Sequence, residues 1–425
     1  MNLFAIPMLL APSAEAAAFE HLLLVVVATI VATKVLGSLA QRIGQPAVLG
    51  ELIAGVVLGG SVLGLFDPAD PTLHALAELG VLILLFQIGL HTDLRSLAKV
   101  GATALVVGVV GVVLPFGGGI VVSHALGVAM LPSIVIGAAL TATSIGISAR
   151  VLSDLGQLKT AEGQVVIGAA VFDDVVGLII LSVVAAMVAG AELTVGGIAR
   201  TSAIAIGFIV VAIGLGSVAI PPLFRLVERV RVTGTLGIIA LAFALMLALL
   251  AARAGSAMII GAFAAGLILH PTPQHKEIER SATALGYLFV PIFFASVGAS
   301  VEIAALLTRD ALVVGGALIA VGVVGKIAAG FAPWWFRGNK LLVGVAMVPR
   351  GEVGLIFAKL GLAAGVVVGP LFGALMLMVV ATTFVTPPLL GLIARRQAAD
   401  SEDAPDQSGI DDLVVGSQRR ESRGQ

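Results

Sequence analysis

Apolar runs separated by short polar segments account for most of residues 20–393. A helix needs about 20 apolar residues to cross the bilayer core, and many of these runs have that length. Charged residues make up 12% of the chain, against about 25% in a soluble domain. The sequence therefore predicts an all-α polytopic membrane protein with about 13 transmembrane helices. The predicted spans are 20–39, 46–66, 75–91, 98–121, 128–152, 164–190, 199–219, 234–252, 255–270, 283–305, 311–331, 340–361 and 366–393.

The basic residues of the loops separate into two sets that alternate along the chain. The larger set belongs in the cytoplasm by the positive-inside rule, so we expect the N-terminus outside and the C-terminus inside a bacterial inner membrane. Residues 1–19 are then a periplasmic segment, and the polar residues 398–425 are a disordered cytoplasmic tail. The smaller set is Arg200, Arg253, Arg309 and Lys359. The larger set is Arg42, Arg95, Lys99, Arg150, Lys159, Arg225, Arg229, Arg231, Lys276, Arg280, Arg337, Lys340, Arg395 and Arg396.

The fifth and twelfth spans interrupt their own apolar pattern near mid-membrane. Residues 140–148 contain four hydroxyls and a glycine, and residues 347–354 contain a proline, two glycines, Arg350 and Glu352. Broken helices at such depth are tolerated where they line a cavity inside the protein. Because the two spans are seven apart, we predict inverted six-helix repeats whose broken helices cross. For the fifth span, simple helix packing with hydroxyls bonded to their own helix is the alternative.

Asp173 and Asp174 lie in the middle of the sixth span, 164–190. An unpaired carboxylate at this depth costs about 2.5–3.5 kcal/mol on insertion scales, so the pair predicts a proton or cation site. Lys326, deep in the eleventh span, needs an anion. Adjacent helical positions point about 100° apart, so one aspartate can hold the lysine while the other faces a cavity. Snorkelling of Lys326 to the interface is the alternative.

Desolvation and charge pairing act on the protonation of such groups in opposite directions. We therefore expect the two aspartates and Lys326 to titrate as one cluster. A site that holds either a cation or protons couples two ion gradients by competition. This points to a transporter and not to an enzyme.

Three other ionisable residues are interpreted as structural charges at the crossover: Arg350, Glu352 and Glu78. Arg350 is expected to find Glu78 or a cytoplasmic-side carboxylate, and Glu352 is expected to cap a broken-helix end. A direct role in transport is the alternative. Glu51 and Glu78 are also interpreted as packing or cavity-mouth groups. The chain has no cysteine and a net charge of −1, so we expect no thiolate metal site, no cofactor and no nucleic-acid partner.

Over residues 20–395 the chain resembles the NapA-type bacterial sodium/proton antiporters, which are monovalent cation/proton antiporters. The segments that carry the resemblance are QPAVLGE (45–51), LTATSIGISAR (140–150), FDDVVGL (172–178), PIFFASVG (291–298), GK (325–326) and PRGEVGL (349–355). The resemblance implies a homodimer and elevator-like transport of Na⁺, and also Li⁺, against H⁺. It implies core domain parts at 98–190 and 311–393, dimerisation domain parts at 20–91 and 234–305, and a linker helix at 199–219.

The resemblance also assigns roles to residues. Asp174 is the principal residue that binds the ion and carries the proton, and Asp173 pairs with Lys326, an arrangement associated with electrogenic exchange. Thr143 and Ser144 are candidate ligands of the monovalent cation, because such ions take oxygen ligands. The alternative function is K⁺/H⁺ antiport or K⁺ efflux, although no βαβ nucleotide-binding unit follows the last span. A sodium-coupled symporter shares crossed broken helices but lacks the Asp-Asp and lysine constellation.

Overall fold

In the computed structural model, residues 14–188 and 235–402 are described, together with scattered positions between 196 and 222. Fifteen helices occupy the two continuous ranges. They are α1 (Ala14–Arg42), α2 (Ala47–Leu58), α3 (Pro71–His91), α4 (Leu94–Ala125), α5 (Met130–Ala139), α6 (Ile145–Asp154), α7 (Ala161–Val188), α8 (Thr235–Arg253), α9 (Met258–Leu269), α10 (His275–Ala299), α11 (Ile303–Leu306), α12 (Arg309–Phe331), α13 (Lys340–Ala346), α14 (Glu352–Ala363) and α15 (Gly369–Glu402).

Eight helices of the described ranges are long and apolar enough to cross a membrane: α1, α3, α4, α7, α8, α10, α12 and α15. Each coincides with one of the predicted spans, and the all-helical membrane fold is confirmed. The predicted seventh span, 199–219, falls where only scattered positions are described. The total of 13 spans therefore stays a prediction.

The two predicted interruptions are present. In the fifth span α5 ends at Ala139 and α6 begins at Ile145, and in the twelfth α13 ends at Ala346 and α14 begins at Glu352. Pro349, which has no backbone N–H to donate, lies inside the second interruption. Both interruptions leave carbonyl groups at depth that need partners from elsewhere in the protein.

The second span is shorter than predicted. Its helix α2 has 12 residues and stops at Leu58, whereas the apolar pattern runs on to residue 66. Gly59 and Gly60 follow directly, and Gly64 has a positive φ of 62°, so the chain turns where the pattern alone predicted helix. Helix α9 also has 12 residues, or roughly 18 Å of helix. Both are shorter than the hydrocarbon core, which is about 30 Å thick.

Each short helix crosses a long one at a pair of glycines. On α2 and α10, Gly55 and Gly298 each lie so close to the facing helix that a Cβ would overlap one of its backbone carbonyls. On α3 and α9, Gly89 and Gly266 have the same reciprocal arrangement. Small residues allow such close approach of helices in a membrane. Two matching crossings are what related halves of one chain would produce, and the six-helix repeat itself stays a prediction.

The first and last helices of the described residues extend further than predicted. Helix α1 begins at Ala14, inside the predicted periplasmic segment 1–19, because residues 14–18 are alanine and glutamate, which favour helix. Helix α15 continues to Glu402, into the predicted disordered tail 398–425, through further alanines. The rest of both terminal predictions lies outside the described residues.

Candidate ion-binding site

The two chain interruptions cross and hydrogen-bond to each other. The backbone N–H of Ser144 donates to the carbonyl of Pro349 over 2.9 Å. The hydroxyl of Ser148 donates to the carbonyl of Ala346 over 2.6 Å. Carbonyls that the second break leaves unpaired are therefore satisfied by donors from the fifth span. Simple packing of the fifth span describes Thr141, whose hydroxyl donates back to its own helix, but it does not describe the two serines.

Asp173 and Lys326 form a fully buried ion pair between α7 and α12. Lys326 Nζ lies 2.6 Å from Asp173 Oδ2, and neither side chain is exposed. The Thr143 hydroxyl donates to the same carboxylate oxygen over 2.7 Å and also lies 3.1 Å from the Met347 carbonyl. One side chain thus links the first interruption, the second interruption and the ion pair. Lys326 does not snorkel to the interface.

Asp174 faces a small cavity beside this pair. The cavity has a volume of about 20 Å³ and is lined by Thr143, Ser144, Gly146 and Gly351 in addition to Asp174. A cavity needs about 10–15 Å³ on this measure to hold one water molecule, so there is room for one water-sized particle. Carboxylate and hydroxyl oxygens are ligands that suit hard cations. The cavity joins both interruptions to the second aspartate.

Arg350 is fully buried and serves the second interruption. Its Nη1 donates to the carbonyls of Met347 and Val348, over 3.1 and 3.0 Å. The hydroxyl of Thr383 donates to the Arg350 carbonyl. Among the described residues, Nε and Nη2 of Arg350 have no hydrogen-bond partner. The positive charge of Arg350 acts on Asp173, so this side chain belongs to the charge balance of the site.

The predicted place of Glu78 at the crossover is wrong. Glu78 lies on α3, its side chain is 46% exposed, and its carboxylate is 3.4 Å from His74 Nε2, one helical turn away. Glu78 is the eighth of the 21 residues of α3, and its side chain faces outward instead of lying next to Arg350. Glu352 is the first residue of α14 and so directly follows the second interruption, but its side chain lies outside the described residues. Its capping role stays a prediction.

A second cluster of charges, formed around the buried Glu51 by the partly exposed Arg150 and Asp154, was not predicted from the sequence. Arg150 Nη2 lies 3.7 Å from Glu51 Oε1, and Arg150 Nε lies 3.2 Å from Asp154 Oδ1. The sequence analysis assigned Arg150 to a cytoplasmic loop and interpreted Glu51 as a packing or cavity-mouth group. The signal that could have joined them is the need of Glu51, in the middle of an apolar run, for a cation.

Comparison with known proteins places these residues in a family. The family described as "Sodium/hydrogen exchanger, transmembrane" matches residues 25–396. The chain is 38% identical over 415 residues to the high-affinity Na⁺/H⁺ antiporter NhaS3 of Synechocystis sp., which covers 88% of this chain and 90% of that protein. It is 34% identical over 366 residues to the Na⁺/H⁺-K⁺ antiporter GerN of Bacillus cereus, covering 85% of this chain and 93% of GerN.

A solved structure has the same fold. The sodium proton antiporter MjNhaP1 of Methanocaldococcus jannaschii, described as a three-dimensional electron-microscopy map, superimposes with a TM-score of 0.70 over 93% of this chain and 100% of that one. The two sequences are 16% identical, so this likeness speaks for the fold alone. The NapA type is a finer assignment than these matches reach, and it stays a prediction.

Proposed function

The chain belongs to the family of transmembrane sodium/hydrogen exchangers, and we propose that it exchanges monovalent cations, above all Na⁺ and also Li⁺, for protons across a bacterial inner membrane. The observation that carries this proposal is the cavity at the helix crossing, where Asp174 lies next to the buried Asp173–Lys326 pair. The cavity has room for one small particle. A single carboxylate in such a space holds a cation or a proton, but not both.

In the proposed cycle, ionised Asp174 binds the cation with help from the oxygens of Thr143 and Ser144. The Thr143 hydroxyl donates its hydrogen to Asp173, and its oxygen keeps lone pairs that are able to coordinate a cation. When a proton neutralises Asp174, the attraction for the cation is lost and the cation leaves. Competition for this one carboxylate couples the cation gradient to the proton gradient.

We assign to Asp173 and Lys326 the role of balancing the charge of the site in each step of the cycle. We expect this pair to open when the cation arrives and Lys326 to release a proton at that moment. Two protons then move against one cation, so a net charge crosses the membrane and exchange is electrogenic. The closed pair of the present structure, with Nζ and Oδ2 2.6 Å apart, corresponds to the half of the cycle in which Lys326 keeps its proton.

An elevator-like movement within a homodimer is the proposed way in which the site changes sides. The Asp173–Lys326 pair joins α7 to α12, which both belong to the proposed core ranges 98–190 and 311–393. The close glycine crossings join α2 to α10 and α3 to α9, within the proposed dimerisation ranges 20–91 and 234–305. The tightest links thus lie inside each unit, which supports a movement of one unit against the other.

K⁺/H⁺ exchange is the second candidate. It is favoured by the 34% identity to GerN, whose description includes K⁺ as well as Na⁺. A cavity for one water-sized particle does not exclude an ion of the size of K⁺.

The test is cation-driven proton movement in liposomes that contain the purified protein, a proton gradient and a pH-sensitive dye. Na⁺, Li⁺, K⁺ and choline are added in turn to the wild type, to Asp174→Asn and to Glu78→Gln, which is the control at an exposed carboxylate. We expect Na⁺ and Li⁺ to dissipate the gradient in the wild type and in Glu78→Gln, but not in Asp174→Asn. Full exchange by Asp174→Asn would overturn the proposed site, and a response to K⁺ alone would favour the second candidate.

A further inference from the structure

The Glu51–Arg150–Asp154 cluster lies outside the ion site and connects parts of the chain that the proposed transport cycle moves apart. Glu51 is on α2, which packs on α1 and α10 in the dimerisation ranges. Arg150 and Asp154 are on α6, the half-helix that directly follows the first interruption. The first two residues of α6, Ile145 and Gly146, line the ion cavity. The cluster is therefore an ionic link from the scaffold side to the element that forms the site.

The buried position of Glu51 makes its carboxylate dependent on the charge of Arg150. Only 3% of its side chain is exposed, so the carboxylate has lost most of its water and depends on a nearby cation. Arg150 supplies that cation across the helix interface, 3.7 Å away. Lys34, on α1, is the other basic residue whose charge acts on Glu51. The second carboxylate oxygen of Glu51 has no hydrogen-bond partner among the described residues.

Arg150, unlike Glu51, has a counter-ion on its own helix. Asp154 is one turn further along α6 and contacts Arg150 Nε. When α6 moves away from α2, Arg150 keeps this local partner while Glu51 is left with the charge of Lys34. The link between the helices is thus able to open without leaving the arginine unpaired.

We propose that the Glu51–Arg150 pair is a latch, which holds α6 against α2 in the conformation of this structure and opens in every transport cycle. The proposal rests on the proposed function, because it requires α6 to move relative to α2. Both residues are positioning residues that act on the ion site through the place of α6. They take no part in binding the cation.

A cross-link between the two positions tests the latch, and the chain offers a background without native cysteine. Glu51→Cys/Arg150→Cys protein in liposomes is treated with a short bifunctional thiosulfonate reagent and assayed for Na⁺-driven proton movement before and after reduction. We expect the cross-linked protein to lose most of its exchange and to recover it on reduction. The control is Arg150→Cys/Asp154→Cys, where both thiols are on α6 and the cross-link leaves exchange at its untreated rate.

The outcomes separate the latch from the function on which it rests. Exchange that persists in fully cross-linked Glu51→Cys/Arg150→Cys protein would mean that α2 and α6 move together, which overturns the latch but leaves the exchanger intact. Absence of exchange in the wild type would instead overturn the proposed function.

A charge exchange gives a second measurement that does not depend on the cysteine variants. Glu51→Gln removes the attraction and shifts the population between conformations, so the Na⁺ concentration at half-maximal exchange is expected to move by about threefold or more. Glu51→Arg/Arg150→Glu, made together with Lys34→Gln and Asp154→Asn so that neither exchanged charge faces a like charge, restores opposite charges and should return this concentration towards the wild-type value. A charge-exchanged protein no closer to the wild type than Glu51→Gln would overturn the latch.

Discussion

Replacing Lys326 by glutamine tests how strongly the buried ion pair stabilises the fold. Lys326 Nζ and Asp173 Oδ2 are 2.6 Å apart, and both side chains are fully buried. Removing one member of such a pair costs about 3–5 kcal/mol, because the other charge is left buried without a partner. The hydrogen bond from Thr143 to Asp173 survives the change, and glutamine adds a neutral donor. We therefore expect the lower end, about 3 kcal/mol, or roughly a hundredfold shift of the unfolding equilibrium.

The double variant Lys326→Gln/Asp173→Asn separates the loss of the pair from the loss of a side chain. With both charges gone, no unpaired charge stays buried, and we expect the free energy of unfolding to return to within about 1 kcal/mol of the wild type. Adding Asp173→Asn to Lys326→Gln is thus expected to restore about 2 kcal/mol or more of the free energy of unfolding.

The measurement is equilibrium unfolding in mixed micelles with increasing denaturing detergent, followed by the fluorescence of Trp334 and Trp335. Lys359→Gln, at an exposed lysine, is the matched control and should change the free energy of unfolding by no more than about 0.5 kcal/mol. The reasoning fails if Lys326→Gln unfolds like the wild type, or if the double variant is no more stable than Lys326→Gln.

Three further changes test other parts of the structure by the same unfolding measurement. Ser148→Ala removes the 2.6 Å hydrogen bond to the Ala346 carbonyl and leaves that buried group without this donor, so we expect a loss of about 1–3 kcal/mol; an unchanged stability would mean that the two interruptions do not support each other. Gly266→Ala places a Cβ against a backbone carbonyl of α3 and is expected to cost about 1–3 kcal/mol, whereas Gly316→Ala, which meets open space in α12, should be neutral or stabilising by up to about 1 kcal/mol. Asp93→Ala removes the N-cap of α4 and is expected to cost about 1 kcal/mol at pH 7. Hydrogen bonds from the first turn, above all a serine hydroxyl, lower the pKa of Asp93 in the folded protein, so the difference from the wild type should be full above the ordinary pKa of the aspartate and vanish as the pH falls through the lowered pKa.

The centre of the site could be anticipated because the physics there leaves few choices. Two carboxylates in the middle of an apolar span need a cation, and Lys326 is a lysine deep inside another span, so a pair between Lys326 and one of the aspartates followed from cost. The choice of Asp173 came from the family resemblance. Pro349 and Gly351 predicted the second interruption, because neither residue suits the interior of a helix. At these positions the local sequence and the final structure impose the same requirement.

Charges near the ends of spans could not be matched in this way. Glu78 and Arg150 lie where a shift of a few residues decides whether a side chain reaches water or a neighbouring helix. That shift depends on the depth and tilt of the helix, which are set by contacts between distant segments. Arg150 meets Glu51 because α6 begins only at Ile145, after the interruption, and the apolar pattern does not fix that register.

The predicted length of the second span was wrong for a related reason. Helix α2 ends at Leu58 although apolar residues continue to 66, since Gly59, Gly60 and Gly64 allow a turn that a hydropathy pattern does not register. A short helix is acceptable here because α2 is held by close packing on α10. Hydropathy indicates whether a segment prefers the membrane or water, whereas tertiary contacts decide how much of the segment is helical.

The ion pair also constrains how the chain is inserted into the membrane during its synthesis. Lys326 lies 153 residues after Asp173, so a ribosome that adds about 5–20 residues per second supplies it roughly 8–30 s later. Throughout that interval α7 carries two carboxylates whose main cation does not yet exist, in a segment that is otherwise apolar enough to insert. Until α12 emerges, the newly made first half must therefore keep these carboxyl groups protonated, or keep the acidic face of α7 in water or beside the insertion machinery. The first half of the chain therefore reaches its final charge balance in the membrane only after α12, in the second half, has been made.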